Sequence, residues 1–172
     1  MSDILVVVDV QNDFVDGSLG SKEAQEIIPY VVQEIESGKY TKIFVTLDTH
    51  QENYLETFEG KHLPVKHCIK DSDGWKVNEK VQEALNQVEC IYVEKPTFGS
   101  QKLVEKIVDM KPETVTFVGL CTDICVLSNA LLTRAALYQT PIQVLSKACA
   151  GVTKEKHEAA LEVMKSCQID IL

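Results

Sequence analysis

Residues 3–14 of the chain read DILVVVDVQNDF, and this stretch decides the fold. Ile4 to Val10 forms a run rich in β-branched residues, and polar residues at positions 11–13 bound it. Because the run is apolar on both faces, it predicts a central strand of a parallel sheet rather than a half-exposed strand.

Short runs of the same kind alternate with helical patterns along the rest of the chain. We expect strands at residues 4–10, 42–47, 90–93, 114–118, 142–145 and 169–172, and helices at residues 29–37, 75–88, 100–109, 123–138 and 154–166. Repeated β-α-β units place helices on both faces of a parallel sheet. The sequence therefore predicts a Rossmann-like α/β fold: a three-layer sandwich with a six-stranded parallel sheet, in a single domain over residues 1–172. Residues 48–74 show no periodicity, and a loop of this length is usually functional or disordered.

The composition excludes several classes of protein. The chain has 17 Lys and Arg against 26 Asp and Glu, a net charge of -9, which argues against nucleic acid or an anionic membrane as the main partner. No apolar run approaches the roughly 18–20 residues of a membrane span, and the N-terminus shows no signal-peptide pattern. The 6 cysteines are too sparse for a disulfide scaffold. We therefore expect a cytoplasmic protein with reduced cysteines.

Polar residues follow four of the predicted strands. In parallel α/β sheets the active site lies at the carboxyl ends of the strands, near a switch in strand order. The strand ends here carry Asp9, Asp48-Thr49-His50, Glu94-Lys95 and Gly119-Leu120-Cys121-Thr122-Asp123-Ile124-Cys125. A carboxylate, a pair of metal ligands, an ammonium group and a thiol are thus expected to meet at one edge of the sheet.

The thiol of Cys125 is the candidate nucleophile. It falls near the start of a predicted helix, where backbone amides and the helix dipole would lower its pKa and could also hold an oxyanion. Asp9 could accept the thiol proton, and Lys95 could keep Asp9 ionised. On residue type alone, Cys125 could instead be a buried structural cysteine or form a redox or metal-binding pair with Cys121. Asp9 and Lys95 could likewise form a structural salt bridge.

Asp48 and His50 are candidate metal ligands, because side chains two residues apart in extended backbone project to the same side. His67 follows later, and Glu56 and Glu59 lie between them. Two imidazoles with one or two carboxylates suit Zn²⁺, with Mn²⁺ or Fe²⁺ as alternatives. The other interpretation is a polar loop with solvated histidines. Two histidines lack this context and are expected at the surface: His62 and His157.

Three segments together resemble the isochorismatase-like cysteine hydrolases, and the resemblance covers almost the whole chain. Residues 8–14, VDVQNDF, look like the family's D-x-Q-x-D-F opening. Residues 95–100, KPTFGS, match its lysine segment. Residues 119–126, GLCTDICV, look like its G-x-x-T-D-x-C-V nucleophile segment.

The resemblance implies a catalytic triad of Asp9, Lys95 and Cys125. It also implies a non-proline cis peptide bond just before Cys121, and an oxyanion hole formed by the backbone amides of Cys121 and Cys125. A redox role for Cys121 is correspondingly disfavoured.

The nicotinamidase branch of the family also carries a metal site, which is built from a D-x-H segment and a later histidine and holds the pyridine nitrogen of nicotinamide. Asp48, His50 and His67 match those positions. The branch often has a further histidine or glutamate ligand, and we assign this position to Glu59, with Glu56 as second choice.

The segment before the second metal histidine departs from the branch pattern. Leu63 stands where an aromatic residue is usual, and one extra residue separates Pro64 from His67. A substrate ring would therefore stack on another aromatic side chain, and we assign this substrate-binding role to Phe14.

The resemblance implies hydrolysis of nicotinamide to nicotinate and ammonia through a cysteine thioester, with one divalent metal ion and a link to pyridine nucleotide salvage. The alternative is hydrolysis of another small amide or ureido compound. A signalling receiver domain is disfavoured because the chain is long for one and Glu94 stands beside Lys95. An inactive binding or scaffold protein is disfavoured because all three triad positions are present. The apolar helix at 123–138 predicts either a helix sandwiched in the core or a homo-oligomer.

Overall fold

In the computed structural model, which describes residues 2–172, six strands form a single sheet. The strands are β1 (Asp3–Val8), β2 (Lys42–Asp48), β3 (Cys90–Lys95), β4 (Thr114–Leu120), β5 (Ile142–Ala150) and β6 (Asp170–Ile171). Neighbouring strands are all parallel, in the order β3-β2-β1-β4-β5-β6. The predicted six-stranded parallel sheet is confirmed.

Helices cover both faces of this sheet. They are α1 (Asn12–Val15), α2 (Lys22–Glu26), α3 (Ile28–Glu36), α4 (Phe58–His62), α5 (Glu79–Leu85), α6 (Gln101–Asp109), α7 (Leu127–Ala136) and α8 (Lys154–Ser166), with a 3-10 turn at Tyr54–Glu56 and a π-helical turn at Thr122–Val126. Alternate residues of β1 divide between two hydrophobic cores, because successive side chains of a strand point to opposite faces. Leu5 and Val7 pack with α3 and α5, whereas Ile4 and Val6 pack with α6, α7 and α8. The fold is therefore the predicted three-layer α/β sandwich.

The strand order reverses at the centre of the sheet. From β1 the chain proceeds to β2 and β3 on one side, and from β4 to β5 and β6 on the other. Val8 is in register with Thr46 of β2 and with Gly119 of β4. Gly119 has a φ of 120°, and a Cβ atom there would overlap the carbonyl oxygen of Val8. This close approach brings the segments after β1 and β4 together, at the switch point where ligands bind in such sheets.

The predicted helix at residues 75–88 is wrong at its start. α5 begins at Glu79, and Trp75, where the helix was expected to start, lies in a turn. Val77 forms an antiparallel bridge with Gln11, and the Asn78 amide donates to a carbonyl group of the segment after β1. The position of Val77 fits a helical pattern, but these long-range backbone hydrogen bonds hold it in an extended conformation.

Other boundaries also shift. β1 ends at Val8, before the expected end at residue 10, because Asp9 turns into left-handed backbone with a φ of 50°. β5 continues well beyond the expected end at residue 145. Residues 48–74, where the sequence predicts no element, contain α4 and the 3-10 turn. The sequence also does not predict α1 and α2. Helices of four or five residues are too short to show a helical period in the sequence.

The apolar helix expected at residues 123–138 corresponds to the π-helical turn followed by α7. One face of α7 buries Ala130 and Thr133, whereas Leu132 and the following Tyr138 are 38% and 70% exposed. The helix is therefore covered on one side only. Within residues 2–172, no helix is both long enough and apolar enough to cross a membrane.

Candidate active site and metal centre

Asp9, Lys95 and Cys125 meet at the carboxyl ends of the strands. Asp9 follows β1, Lys95 ends β3, and Cys125 lies in the π-helical turn after β4. The Lys95 Nζ atom donates to Asp9 Oδ2 at 2.6 Å and lies 3.5 Å from Cys125 Sγ. It also donates to the carbonyl oxygen of Thr97 at 3.1 Å. The structure thus brings the three residues expected to form the triad together around one ammonium group.

Thr46 of β2 fixes the Asp9 carboxylate. The Thr46 hydroxyl donates to Asp9 Oδ1 at 2.6 Å, and the Asp9 amide donates to the Thr46 carbonyl at 3.2 Å. Burial raises the pKa of Asp9 above its ordinary value, and the charge of Lys95 offsets part of that rise. Burial alone would lower the pKa of Lys95, but the negative charges of Asp9 and Asp48 raise it, so the ammonium group stays protonated. A carboxylate with a raised pKa beside a fixed ammonium group is suited to accept and return a proton.

The Cys125 thiol is buried, with 4% of the residue exposed. Burial, followed by the negative charge of Asp9, raises the pKa of this thiol well above its ordinary value. The expectation that the helix start would lower the pKa of Cys125 is therefore wrong, because burial and the neighbouring carboxylate of Asp9 both raise it. The resting group is a neutral thiol, and Asp9 is the carboxylate placed to receive its proton.

The backbone of the nucleophile turn, Thr122–Val126, has a wide π-helical geometry. The carbonyl oxygen of Cys121 accepts hydrogen bonds from the amides of Ile124 and Val126, each at 3.1 Å. The bond from the Val126 amide reaches back five residues, as in a π-helix, and not four, as in an α-helix. The Leu120–Cys121 peptide bond is cis, as the resemblance implies. Cys121 and Cys125 both line one cavity, so the expected oxyanion hole would lie in its wall.

Asp48, His50, Glu59 and His67 form a second cluster, and their four candidate ligand atoms lie within 4.8 Å of one another. Asp48 Oδ2 lies 2.9 Å from His50 Nε2 and 3.3 Å from His67 Nε2. Glu59 Oε1 lies 3.7 and 3.6 Å from the same two nitrogen atoms. Of the two glutamates considered, Glu59 faces the histidines, whereas Glu56 is exposed and lies outside the cluster.

The chemistry of this cluster fits a bound cation. His67 Nδ1 lies 2.8 Å from the Val65 carbonyl oxygen, so Nδ1 donates to that oxygen and Nε2 is the ring nitrogen that faces the two carboxylates. Asp48 Oδ1 is buried and has no hydrogen-bond partner within residues 2–172. In a tetrahedral Zn²⁺ site with bonds of about 2.0–2.1 Å, neighbouring ligand atoms lie about 3.3–3.4 Å apart. The four separations between the histidine nitrogens and the carboxylate oxygens, 2.9 to 3.7 Å, include shorter and longer distances than this range.

Two further residues after β1 hold the metal-ligand segments in place. Gln11 Nε2 donates to the Asp48 carbonyl at 2.9 Å, and Gln11 Oε1 accepts from the Asp48 amide at 2.8 Å. Asp13 Oδ2 accepts a hydrogen bond from the amide of Cys68, next to His67, at 2.8 Å. Sequence reasoning gave neither residue a role, although both are fixed letters of the D-x-Q-x-D-F motif.

His157 is not a surface residue as expected; it is half-buried and contacts the nucleophile turn. Its Nδ1 atom lies 2.7 Å from the hydroxyl oxygen of Thr122, which is fully buried. Nothing local in the sequence marks this contact, because it depends on the packing of α8 against the nucleophile turn. His62 is exposed, as expected.

Both clusters border one cavity of about 490 Å³. Cys125 lies in its wall together with Glu59 and His67. The ring of Phe14 also lines the cavity, with its centroid 5.4 Å from that of His67. Apolar side chains complete much of the wall: Leu19, Leu63, Phe98, Leu120 and Ile124. A ligand in this cavity would therefore meet both the thiol and the metal-ligand cluster.

Comparisons with known proteins identify the family of the chain. The isochorismatase domain family matches residues 3–172 of the chain. The chain is 25% identical to a nicotinamidase of Schizosaccharomyces pombe, over 98% of this chain and 91% of that protein. The structure of pyrazinamidase/nicotinamidase from Streptococcus mutans UA159 is similar with a TM-score of 0.83 and 25% identity, covering 99% of this chain and 100% of that one. Pyrazinamidase of Pyrococcus horikoshii, solved in complex with zinc, gives a TM-score of 0.80 and 25% identity, covering 100% and 99%. The family match spans nearly the whole chain, and the protein therefore belongs to the isochorismatase family.

Proposed function

We propose that the protein is a nicotinamidase-type amidohydrolase, which converts nicotinamide and water to nicotinate and ammonia through a cysteine thioester. The observation that carries the proposal is the shared cavity, in which Cys125 and the metal-ligand residues Asp48, Glu59 and His67 border the same space. A nucleophile at one end and a cation site at the other suit an aromatic ring that carries both a carboxamide and a nitrogen atom. The names of the relatives from S. pombe and S. mutans point to the same substrate.

Acylation begins with transfer of the Cys125 proton to Asp9, whose raised pKa suits it to act as a base. The thiolate attacks the carboxamide carbon, a C–S bond forms, and the carbonyl electron pair moves to oxygen. The amides of Cys121 and Cys125 stabilise this oxyanion. Collapse of the tetrahedral intermediate breaks the C–N bond, and Asp9 gives its proton to the departing ammonia.

Deacylation uses the same carboxylate. Asp9 takes a proton from water as the water oxygen attacks the thioester carbon. The C–S bond then breaks, and the Cys125 thiolate recovers the proton from Asp9, while the nicotinic acid formed loses its own proton to solvent. Lys95 stays protonated throughout, 2.6 Å from Asp9 and 3.5 Å from Cys125, and offsets the negative charge as it passes between them.

Asp48, His50, Glu59 and His67 would hold one divalent metal ion, Zn²⁺ in the first place, with Mn²⁺ or Fe²⁺ as alternatives. The choice of Zn²⁺ is supported by the donor set and by the zinc complex of the P. horikoshii relative. When bound, the metal supplies a Lewis-acid contact for the pyridine nitrogen. Phe14 would stack on the ring and hold its plane.

The same proposal includes a cytoplasmic location and a link to pyridine nucleotide salvage. The partners are a small amide substrate and a second copy of this chain, and neither nucleic acid nor a membrane has a role. All six cysteines are free, which fits a reducing compartment. The net charge of -9 disfavours polyanionic partners. The exposed Leu132 of α7 and the exposed Tyr138 that follows the helix support a homo-oligomer.

Ammonia release from nicotinamide by the purified protein tests the proposal. We expect release with added Zn²⁺ or Mn²⁺, and loss of release with a chelator. Cys125→Ala should abolish turnover while the circular dichroism spectrum stays unchanged, and turnover retained by this variant would refute the thioester mechanism. If folded, metal-loaded protein released no ammonia, nicotinamide would be excluded as the substrate. The alternative, another small amide or ureido compound, would then be screened.

A further inference from the structure

One contact outside the two clusters joins α8 to the nucleophile turn. His157 Nδ1 lies 2.7 Å from the hydroxyl oxygen of Thr122. Thr122 is fully buried, and it begins the π-helical turn that carries Cys125. His157 stands in the first turns of α8, where its amide donates to the Thr153 carbonyl at 2.9 Å. A regular helix therefore carries the imidazole that meets the first residue of the nucleophile turn.

The connection between β5 and α8 makes a second link to the same turn. Asp123 Oδ1 accepts a hydrogen bond from the Val152 amide at 2.9 Å. Gly151 fits closely between the two elements, since a Cβ atom there would lie 2.9 Å from Asp123 Oδ1 and 2.8 Å from the His157 amide nitrogen. Two consecutive residues of the nucleophile turn are thus held by α8 and the connection that precedes it.

These links matter because Cys125 lies in the π-helical turn and not in the regular helix α7 that follows it. The bond from the Val126 amide to the Cys121 carbonyl closes a π-helical turn, which is wider than an α-helical one. The Cys125 Sγ atom nevertheless has to stay close to Lys95 Nζ, 3.5 Å away, and to Asp9. A displacement of about 1 Å in a reacting group can cost up to about a hundredfold in rate.

We propose that His157 is a positioning residue for Cys125, and that it acts through the hydroxyl group of Thr122. The inference rests on the proposed nucleophilic role of Cys125. His157 lies behind the turn, outside the set of residues that line the cavity. Its loss therefore acts on the chemical step and leaves substrate binding unchanged.

A double-mutant cycle tests this role, because His157→Ala and Thr122→Val each remove one side of the contact. Each variant should lower kcat for nicotinamide by about tenfold to a hundredfold, and KM should change by less than about twofold. The double variant should lose no more than the single variants, since both changes remove the same contact. Glu158→Ala, at an exposed neighbour on α8, is the matched control and should behave like wild type.

Conservative variants separate a hydrogen bond from mere packing. Asparagine places a polar atom near the position of Nδ1, whereas glutamine places it near Nε2. His157→Asn should therefore recover most of kcat, and His157→Gln should not. Thr122→Ser keeps the hydroxyl group and should stay close to wild type. These variants decide the question even if His157→Ala fails to fold, and equal kcat values for the asparagine and glutamine variants would overturn the proposal.

A second measurement does not depend on nicotinamide turnover. The rate at which iodoacetamide alkylates Cys125, followed by mass spectrometry of its peptide, reports how well the thiol is placed beside its base. We expect this rate to fall in His157→Ala and Thr122→Val, and to stay at the wild-type value in Glu158→Ala. If the wild type released no ammonia, the proposed substrate would fail, but the alkylation rates would still test His157. Multiplicative losses in the double variant, or a lower melting temperature with unchanged kcat and alkylation rate, would overturn the proposal.

Discussion

Replacing Lys95 with methionine should strongly destabilise the protein. Lys95 Nζ lies 2.6 Å from Asp9 Oδ2, and both side chains are 0% exposed. Methionine fills most of the lysine volume but carries no charge, so Asp9 would stay buried without its counter-ion. Removing one partner of a buried ion pair costs about 3–5 kcal/mol. At about 2–4 °C per kcal/mol for a chain of this size, the melting temperature should fall by about 6–20 °C.

Urea unfolding in the presence of a chelator measures this loss without a contribution from bound metal. The control combines Lys95→Met with Asp9→Asn, which removes both charges. Asparagine tolerates the left-handed backbone at position 9, where φ is 50°, and it can still accept the hydrogen bond from Thr46. The double variant should therefore recover most of the lost stability. If Lys95→Met unfolded at the wild-type urea concentration, or if the double variant were no more stable than the single one, the argument from burial would be refuted.

Three further predictions concern the strand crossing, the metal cluster and the cavity wall. Gly119→Ala should lower the free energy of unfolding by about 3 kcal/mol or more, because the added Cβ atom meets the carbonyl of β1 at a φ of 120°; a thermal melt equal to wild type would contradict this. His50→Ala should reduce bound metal after dialysis well below about one ion per chain, as measured by elemental analysis, while the exposed Glu56→Ala keeps its metal. Phe14→Ala should raise KM for nicotinamide by roughly threefold to tenfold through lost ring contact, and steady-state kinetics with an unchanged KM would remove Phe14 from the binding site.

The sheet could be predicted because its determinants are local. The two-sided apolar run before Asp9 indicates a central strand by itself, and the alternation with helices indicates parallel pairing. The start of α5 could not be predicted, because Val77 is held by a bridge to Gln11 that no local pattern encodes. Where a segment's hydrogen bonds reach across the fold, periodicity alone assigns the wrong structure.

The candidate site shows the same division. Asp9, Lys95 and Cys125 could be expected to meet, because parallel strands gather their carboxyl ends at one edge. The direction in which the pKa of Cys125 shifts could not be predicted, since it depends on how deeply packing buries the thiol beside Asp9. The contact of His157 with the nucleophile turn joins elements far apart in the chain, so only the folded structure shows it.

The position of β1 at the centre of the sheet affects how the chain is made. β2, one neighbour of β1, follows it closely in the chain and can pair with it early, but the other neighbour, β4, begins only at Thr114. At about 5–20 residues per second, this edge of β1 stays unpaired for on the order of ten seconds. An unpaired apolar edge can join a strand of another nascent chain, so this interval is when aggregation competes with folding. Asp9 follows β1 and Cys125 follows β4. The newly made chain therefore gains its triad only once β1 and β4 have paired.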